Sequence, residues 1–149
     1  MADHSPIQIF NTSGSQIPIL ENDAAFLLES ISTHQNCTFD FVEVVYVDEN
    51  EIVRVNNEFL KRDYITDIIS FRYDENQTNQ EIEGTLYCCA QCISEQSKEF
   101  ADSQKQEYLR VLIHGLLHLI GYDDGNTAEK QEMTRLEDFF LNEYANWQP

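Results

Sequence analysis

Between Tyr108 and Ile120 the chain is apolar almost all round. Tyr108, Leu109, Val111, Leu112, Ile113, Leu116, Leu117, Leu119 and Ile120 fall on nearly every side of a helix, which predicts a segment buried on most faces. Elsewhere the periodicity is one-sided. Pro6 to Phe10 reads as a short strand, followed by a Gly/Ser turn and a helix from near Asn22 with Ala25, Phe26, Leu27, Leu28 and Ile31 on its inner face. Thr38 to Val47, rich in Phe, Val and Tyr, predicts a second strand. Glu49 to Leu60 follows as a helix with Ile52, Val53, Val55 and Phe59 inward. Thr66 to Tyr73 predicts a strand, the polar stretch Asp74 to Glu83 an exposed loop, and Gly84 opens a further strand through Leu86, Tyr87 and Cys88. Helices are expected over 93–101 and 104–120. Asn126, three before Glu129, resembles a capping box for a last helix with Met133, Leu136, Phe139, Phe140 and Tyr144 on its apolar face. The order β-α-β-α-β-β-α-α-α describes an α+β fold, a small mixed four-stranded sheet packed with about five helices. At 149 residues, with no internal repeat or linker, one domain spanning 1–149 is expected.

On the nearly all-apolar helix, His114 and His118 are the exceptions. Residues four apart differ by only about 40° around a helix axis, so both imidazoles leave the same face and can share one ion. Gly121 is suited to ending the helix in a left-handed conformation, turning the chain so that Asp124 approaches the same point. Two imidazoles and a carboxylate suit a zinc-like ion with a fourth position open. A lone buried histidine is ordinarily a hydrogen-bonded core residue, but two on an apolar helix are costly unless something satisfies them. Asp123-Asp124-Gly125 also fits an ordinary turn. The spacing is shared with the metzincin proteases, which carry Glu directly after the first His as general base. Here that position is Gly115, so peptidase chemistry loses its base.

Composition narrows the function further. The net charge of -18 disfavours binding to phosphate backbones, yet four of the nine Lys and Arg residues (Arg54, Lys61, Arg62, Arg72) fall between 54 and 72. That segment is a local anion contact or a set of ordinary solvated charges. No apolar run approaches the roughly 18 residues a membrane span needs, and no secretory leader is evident at Met1 to Pro6, so a cytoplasmic protein without membrane contact is expected. Of the four cysteines, Cys89 and Cys92 form Cys-x-x-Cys. A redox or zinc role is open to such a pair, but with Cys37 far away and no second pair the favoured reading is buried apolar thiols in a strand and the turn after it, consistent with a reducing compartment.

Two blocks then resemble a known family. His114-Gly115-x-Leu117-His118-Leu119-x-Gly121-Tyr122-Asp123, continuing to Met133 and Glu137, is similar to the signature of the YbeY endoribonucleases, the ribosomal RNA maturation factors. Thr66-Asp67-Ile68-Ile69-Ser70-Phe71, preceded by Asn56 and Asp63, resembles the family's upstream strand. The resemblance covers the chain from about Val42 onward. It implies a zinc-dependent, single-strand-specific endoribonuclease acting in 16S rRNA 3′-end maturation and ribosome quality control, with rRNA and small-subunit proteins as partners. It also implies that the three metal ligands fall on His114, His118 and Asp124, the last a departure because the family has a third histidine. Leu60 stands where the family usually has an arginine, whose place Lys61 or Arg62 can take as catalytic cation; Thr85 stands where it usually has an aspartate. The alternatives are a non-catalytic ribosome-assembly factor with a structural metal and a metal-dependent hydrolase of another substrate.

Overall fold

The computed structural model describes residues 5–74, 78–100 and 103–147, the side chain of Phe100 excepted. The chain's first residues, the middle of the expected loop at 74–83 and the expected helix end at residue 101 lie outside the described residues. The elements run β1 (Ile7–Asn11), α1 (Glu21–Gln35), β2 (Phe39–Val47), α2 (Glu49–Leu60), β3 (Ile68–Arg72), β4 (Ile82–Cys89), α3 (Ala90–Phe100), α4 (Gln104–Leu119) and α5 (Thr127–Ala145). Their order is the one the hydrophobic pattern predicts. The strands form one mixed sheet, β1-β2-β4-β3, with β1, β2 and β4 parallel and β3 antiparallel to β4 at the edge. The fold is α+β.

Alternating side chains divide the sheet between two cores, as the two-residue period of a strand requires. Val42, Val44 and Tyr46 of β2, with Leu86 and Cys88 of β4, join the larger core built with α1, α4 and α5. Val47, Ile69 and Cys89 point the other way and pack with Ile52 and Val55 of α2. Helix α4 lies at the centre of the larger core, with Tyr108, Leu112, Ile113, Leu116 and Leu117 fully enclosed. Gly115 sets how closely it lies on the sheet. A Cβ there would stand 2.5 Å from the Ile68 Cδ1 and 3.0 Å from the Leu86 Cδ1. Any side chain at this position would have to displace the Ile68 and Leu86 methyl groups, so close packing of α4 on the sheet favours glycine where the proteases carry their base.

Three expectations are corrected. Phe59 is not inward: it is 56% exposed and meets Phe71 edge-on at the sheet's rim, because α2 overhangs the small core by its last turn. Asn56, four residues after Ile52, takes the inward place instead and donates from its amide to the Tyr64 carbonyl at 2.9 Å. Cys89 and Cys92 are joined in a disulfide and are not free thiols; the strand-to-helix junction brings their Cα atoms to 5.2 Å, within reach of a bond. Cys37 and Cys88 remain buried thiols, and burial first, then the Asp67 charge, pushes the Cys88 thiol far up. Boundaries also shift: β4 begins at Ile82, two residues before Gly84, and α3 begins at Ala90, because no turn residue separates it from β4.

Candidate metal centre

Helix α4 stops where its last turn can aim ligands. The N–H of Gly121 donates to the His118 carbonyl and that of Tyr122 to the Leu117 carbonyl, both at 3.1 Å, with Gly121 at φ +109°. This pair of bonds is a Schellman closure, which the absent Cβ of glycine permits. The chain reverses and returns Asp124 across the end of the helix. The His114 and His118 Nε2 atoms lie 2.9 Å apart, and the Asp124 Oδ2 stands 3.3 Å from the first and 3.8 Å from the second. Among the described residues these three side chains form the one group whose donor atoms, all within 4.8 Å of one another, can hold a metal ion.

The donor chemistry fits such an ion. Glu137, 7% exposed on α5, places its Oε2 2.7 Å from the His114 Nδ1. A carboxylate there accepts a hydrogen bond from the Nδ1–H of His114 and leaves the Nε2 lone pair facing His118 and Asp124, the arrangement that orients metal-bound histidines. Arg110 in turn donates to the Glu137 Oε1 at 2.9 Å and to the Asp138 Oδ1 at 2.7 Å, so the orienting carboxylate is itself held. Two imidazole nitrogens facing each other at 2.9 Å beside a carboxylate need a proton or a cation between them. Burial pulls the His114 imidazolium down, but the bond to Glu137 and the charges of Glu137, Asp124 and Asp67 outweigh it and raise its pKa overall. Burial lowers that of His118, and a charged His114 lowers it further. The neighbouring imidazoles are thereby pushed apart in acidity.

The group lies in a cleft of about 480 Å³ whose other walls include Asn56, Leu60, Arg62, Tyr64, Asp67, Ser70 and Arg72. The upstream block and the histidine block, some 45 residues apart in sequence, thus face one space. The basic segment divides within it. Arg54 is engaged by Glu51 and Glu58 on the exposed face of α2. Arg72 grips Asp74 with two nitrogens, at 2.8 and 2.9 Å, and donates to the Leu119 carbonyl at 3.2 Å, tying β3 to the end of α4. Arg62 lines the cleft, whereas Lys61 takes the left-handed position that ends α2 (φ 58°) and is not among the lining residues. Thr85 is buried and donates to Glu43 at 3.4 Å.

Sequence reasoning places His114, His118 and Asp124 together, and the geometry does the same. It assigns no role to Glu137, Arg110 or the Arg72–Asp74 clamp. A signal for Glu137 exists: it lies four after Met133 and three before Phe140, on the inward stripe of α5, where a carboxylate requires a partner.

The family model described as Endoribonuclease YbeY matches residues 9–145. The chain belongs to the YbeY family. A YbeY endoribonuclease from Chlorobium limicola is 38% identical over 142 residues, covering 94% of each chain. One from Ureaplasma urealyticum is 41% identical over 103 residues, 69% of this chain and 66% of that one. A solution structure of a Thermotoga maritima protein superposes with a TM-score of 0.63 at 28% identity, covering 92% of this chain and 89% of that one. Within the YbeY frame, the two blocks that meet at the cleft are the two that carry the sequence resemblance.

Proposed function

We propose that this chain is a metal-dependent endoribonuclease of single-stranded RNA, acting in the cytoplasm in ribosomal RNA processing, 16S 3′-end maturation and ribosome quality control, with rRNA and small-subunit proteins as its partners. The reading treats residues 1–149 as one catalytic domain. The observation that carries it is the convergence of the His114, His118 and Asp124 donor atoms on the floor of an open cleft, in a chain of the YbeY family. His114, His118 and Asp124 would hold one zinc-like ion. When bound, such an ion supplies Lewis acidity toward a phosphoryl oxygen. Glu137 keeps the His114 Nε2 lone pair aimed inward. Arg62, on the cleft wall, sets a positive charge where negative charge grows on phosphorus, and we assign it the catalytic cation role in preference to Lys61. The 2′-hydroxyl of RNA is available as an internal nucleophile, so the glycine at 115 is no obstacle to RNA cleavage.

The test is elemental analysis of wild type, His114→Ala and Asp124→Asn, each assayed on single-stranded RNA. His114→Ala is expected to lose metal and cleavage together; cleavage that survives in metal-free protein overturns the proposal.

Leu60 favours a second reading. It lines the cleft where the family usually carries an arginine, and Asp124 adds a negative charge that weakens the ion as a Lewis acid. Both changes suit an assembly factor that keeps its metal and has lost turnover. Metal-replete wild type that co-purifies with small-subunit proteins but leaves RNA intact would support this second reading against the first.

A further inference from the structure

The loop between α2 and β3 combines two features that the metal centre leaves unexplained. Of the nine Lys and Arg residues, Arg54, Arg72, Lys98, Lys105, Arg110 and Arg135 are engaged in ion pairs. Among the described residues Lys61, Arg62 and Lys130 form none, and two of these three are neighbours in this loop. In a chain of net charge -18, with 27 carboxylates to choose from, two adjacent unpaired cations are unexpected. Two residues further on, Tyr64 lines the cleft with 54% of its surface exposed. Its backbone carbonyl is held by the buried Asn56 amide, and no aromatic ring among the described residues stacks on its exposed side chain. A tyrosine that needed only burial would be turned inward, as Tyr46 and Tyr108 are. An exposed ring beside unpaired cations is the pairing by which proteins hold single-stranded nucleic acid, the cation meeting a phosphate and the ring a base.

We propose that Tyr64 is the stacking platform for one unpaired nucleobase of RNA entering the cleft, and that Arg62 holds a phosphate adjoining that base. The inference rests on the nuclease reading above and deepens it by naming a residue that selects single strands. Bases in a duplex are stacked on their neighbours and cannot lie on the ring, so Tyr64 favours an unpaired strand directly. Phenylalanine retains the aromatic face and alanine removes it.

The experiment is steady-state cleavage by the metal-loaded full chain of a short single-stranded oligoribonucleotide, its duplex, and a set of variants each with one abasic position. Tyr64→Ala is expected to raise KM about tenfold with kcat within about twofold, and Tyr64→Phe to stay near wild type. One abasic position should raise the wild-type KM by a similar factor and leave that of Tyr64→Ala unchanged. The preference for single strand over duplex should fall in Tyr64→Ala. An unaltered KM in Tyr64→Ala, or an abasic penalty that persists in it, overturns the stacking role while leaving the nuclease reading intact. Wild type that neither binds nor cuts RNA overturns both. Because the Tyr64 side chain is exposed and Asn56 bonds only its carbonyl, the alanine variant keeps the loop's anchor; matching thermal melts of the two variants check this.

Discussion

At the scale of single residues, the centre depends on a carboxylate that touches no substrate. Glu137 fixes which nitrogen of His114 carries the proton, and Arg110 fixes Glu137. Glu137→Gln preserves shape but removes the charge and offers His114 an ambiguous partner. We expect metal affinity to fall about 10–100-fold, read by competition with a chromogenic chelator, with little change in fold. An unchanged affinity would mean that His114 is oriented by packing alone. The ligands themselves were legible in the chain: a helix and its glycine stop place His114, His118 and Asp124 by local geometry, over a span of 11 residues. Glu137 stands on a legible inward stripe, but its bond to His114 was not legible, because the partner is 23 residues away and the pairing exists only once α5 crosses α4.

At the scale of elements, two close approaches hold the cleft's walls. A Cβ at Gly84 would lie 2.5 Å from the Phe71 carbonyl oxygen on the paired strand and 2.8 Å from Leu119 on α4. Backbone cannot move aside as a side chain can, so Gly84→Ala should cost about 1–3 kcal/mol, seen as a lower urea midpoint at an unchanged m-value. The Arg72–Asp74 clamp joins the same elements. Hydrogen bonds from Arg72 hold the Asp74 carboxyl down at about 2, below its ordinary 3.8. A depressed carboxyl contributes its stability in full above its unfolded pKa and loses it as pH falls toward the folded value. Acid titration of wild type should therefore show stability lost between about pH 4 and pH 2 that Asp74→Asn lacks, the variant being the less stable of the two at neutral pH. At the start of α5, the Asn126 side chain accepts from the Glu129 N–H at 2.8 Å. Asn126→Ala should remove about 1 kcal/mol in the same denaturation experiment. That cap was readable from Asn126 and Glu129. The Gly84 contact was not, since a glycine in a strand gives no sign of which backbone approaches it.

At the scale of the whole molecule, the charge of -18 opposes binding of an RNA substrate, and the distribution of ion pairs reconciles the two. Six of the nine cations are neutralised locally, so RNA would meet a small positive rim on an acidic body. An interface with only Lys61 and Arg62 unpaired releases few counterions. The slope of log affinity against log salt for single-stranded RNA should therefore be no steeper than about -1.5, at roughly 0.7 per phosphate contact. A slope steeper than about -3 would require phosphate contacts beyond this loop.

The elements, their order and the trio His114, His118 and Asp124 followed from the chain because each depends on neighbours within a helical turn or a strand's alternation. Phe59 facing outward, the Cys89–Cys92 bond, the support from Glu137 and the separation of Arg62 from Arg54 and Arg72 were decided only by tertiary structure. Each is a question of which distant group arrives at a given side chain. Local periodicity states that a face is apolar or that a charge exists, but only packing determines whether that charge finds a partner. For this chain, that difference separates the cations that brace the fold, Arg72 among them, from Arg62, which lines the cleft without an ion-pair partner among the described residues.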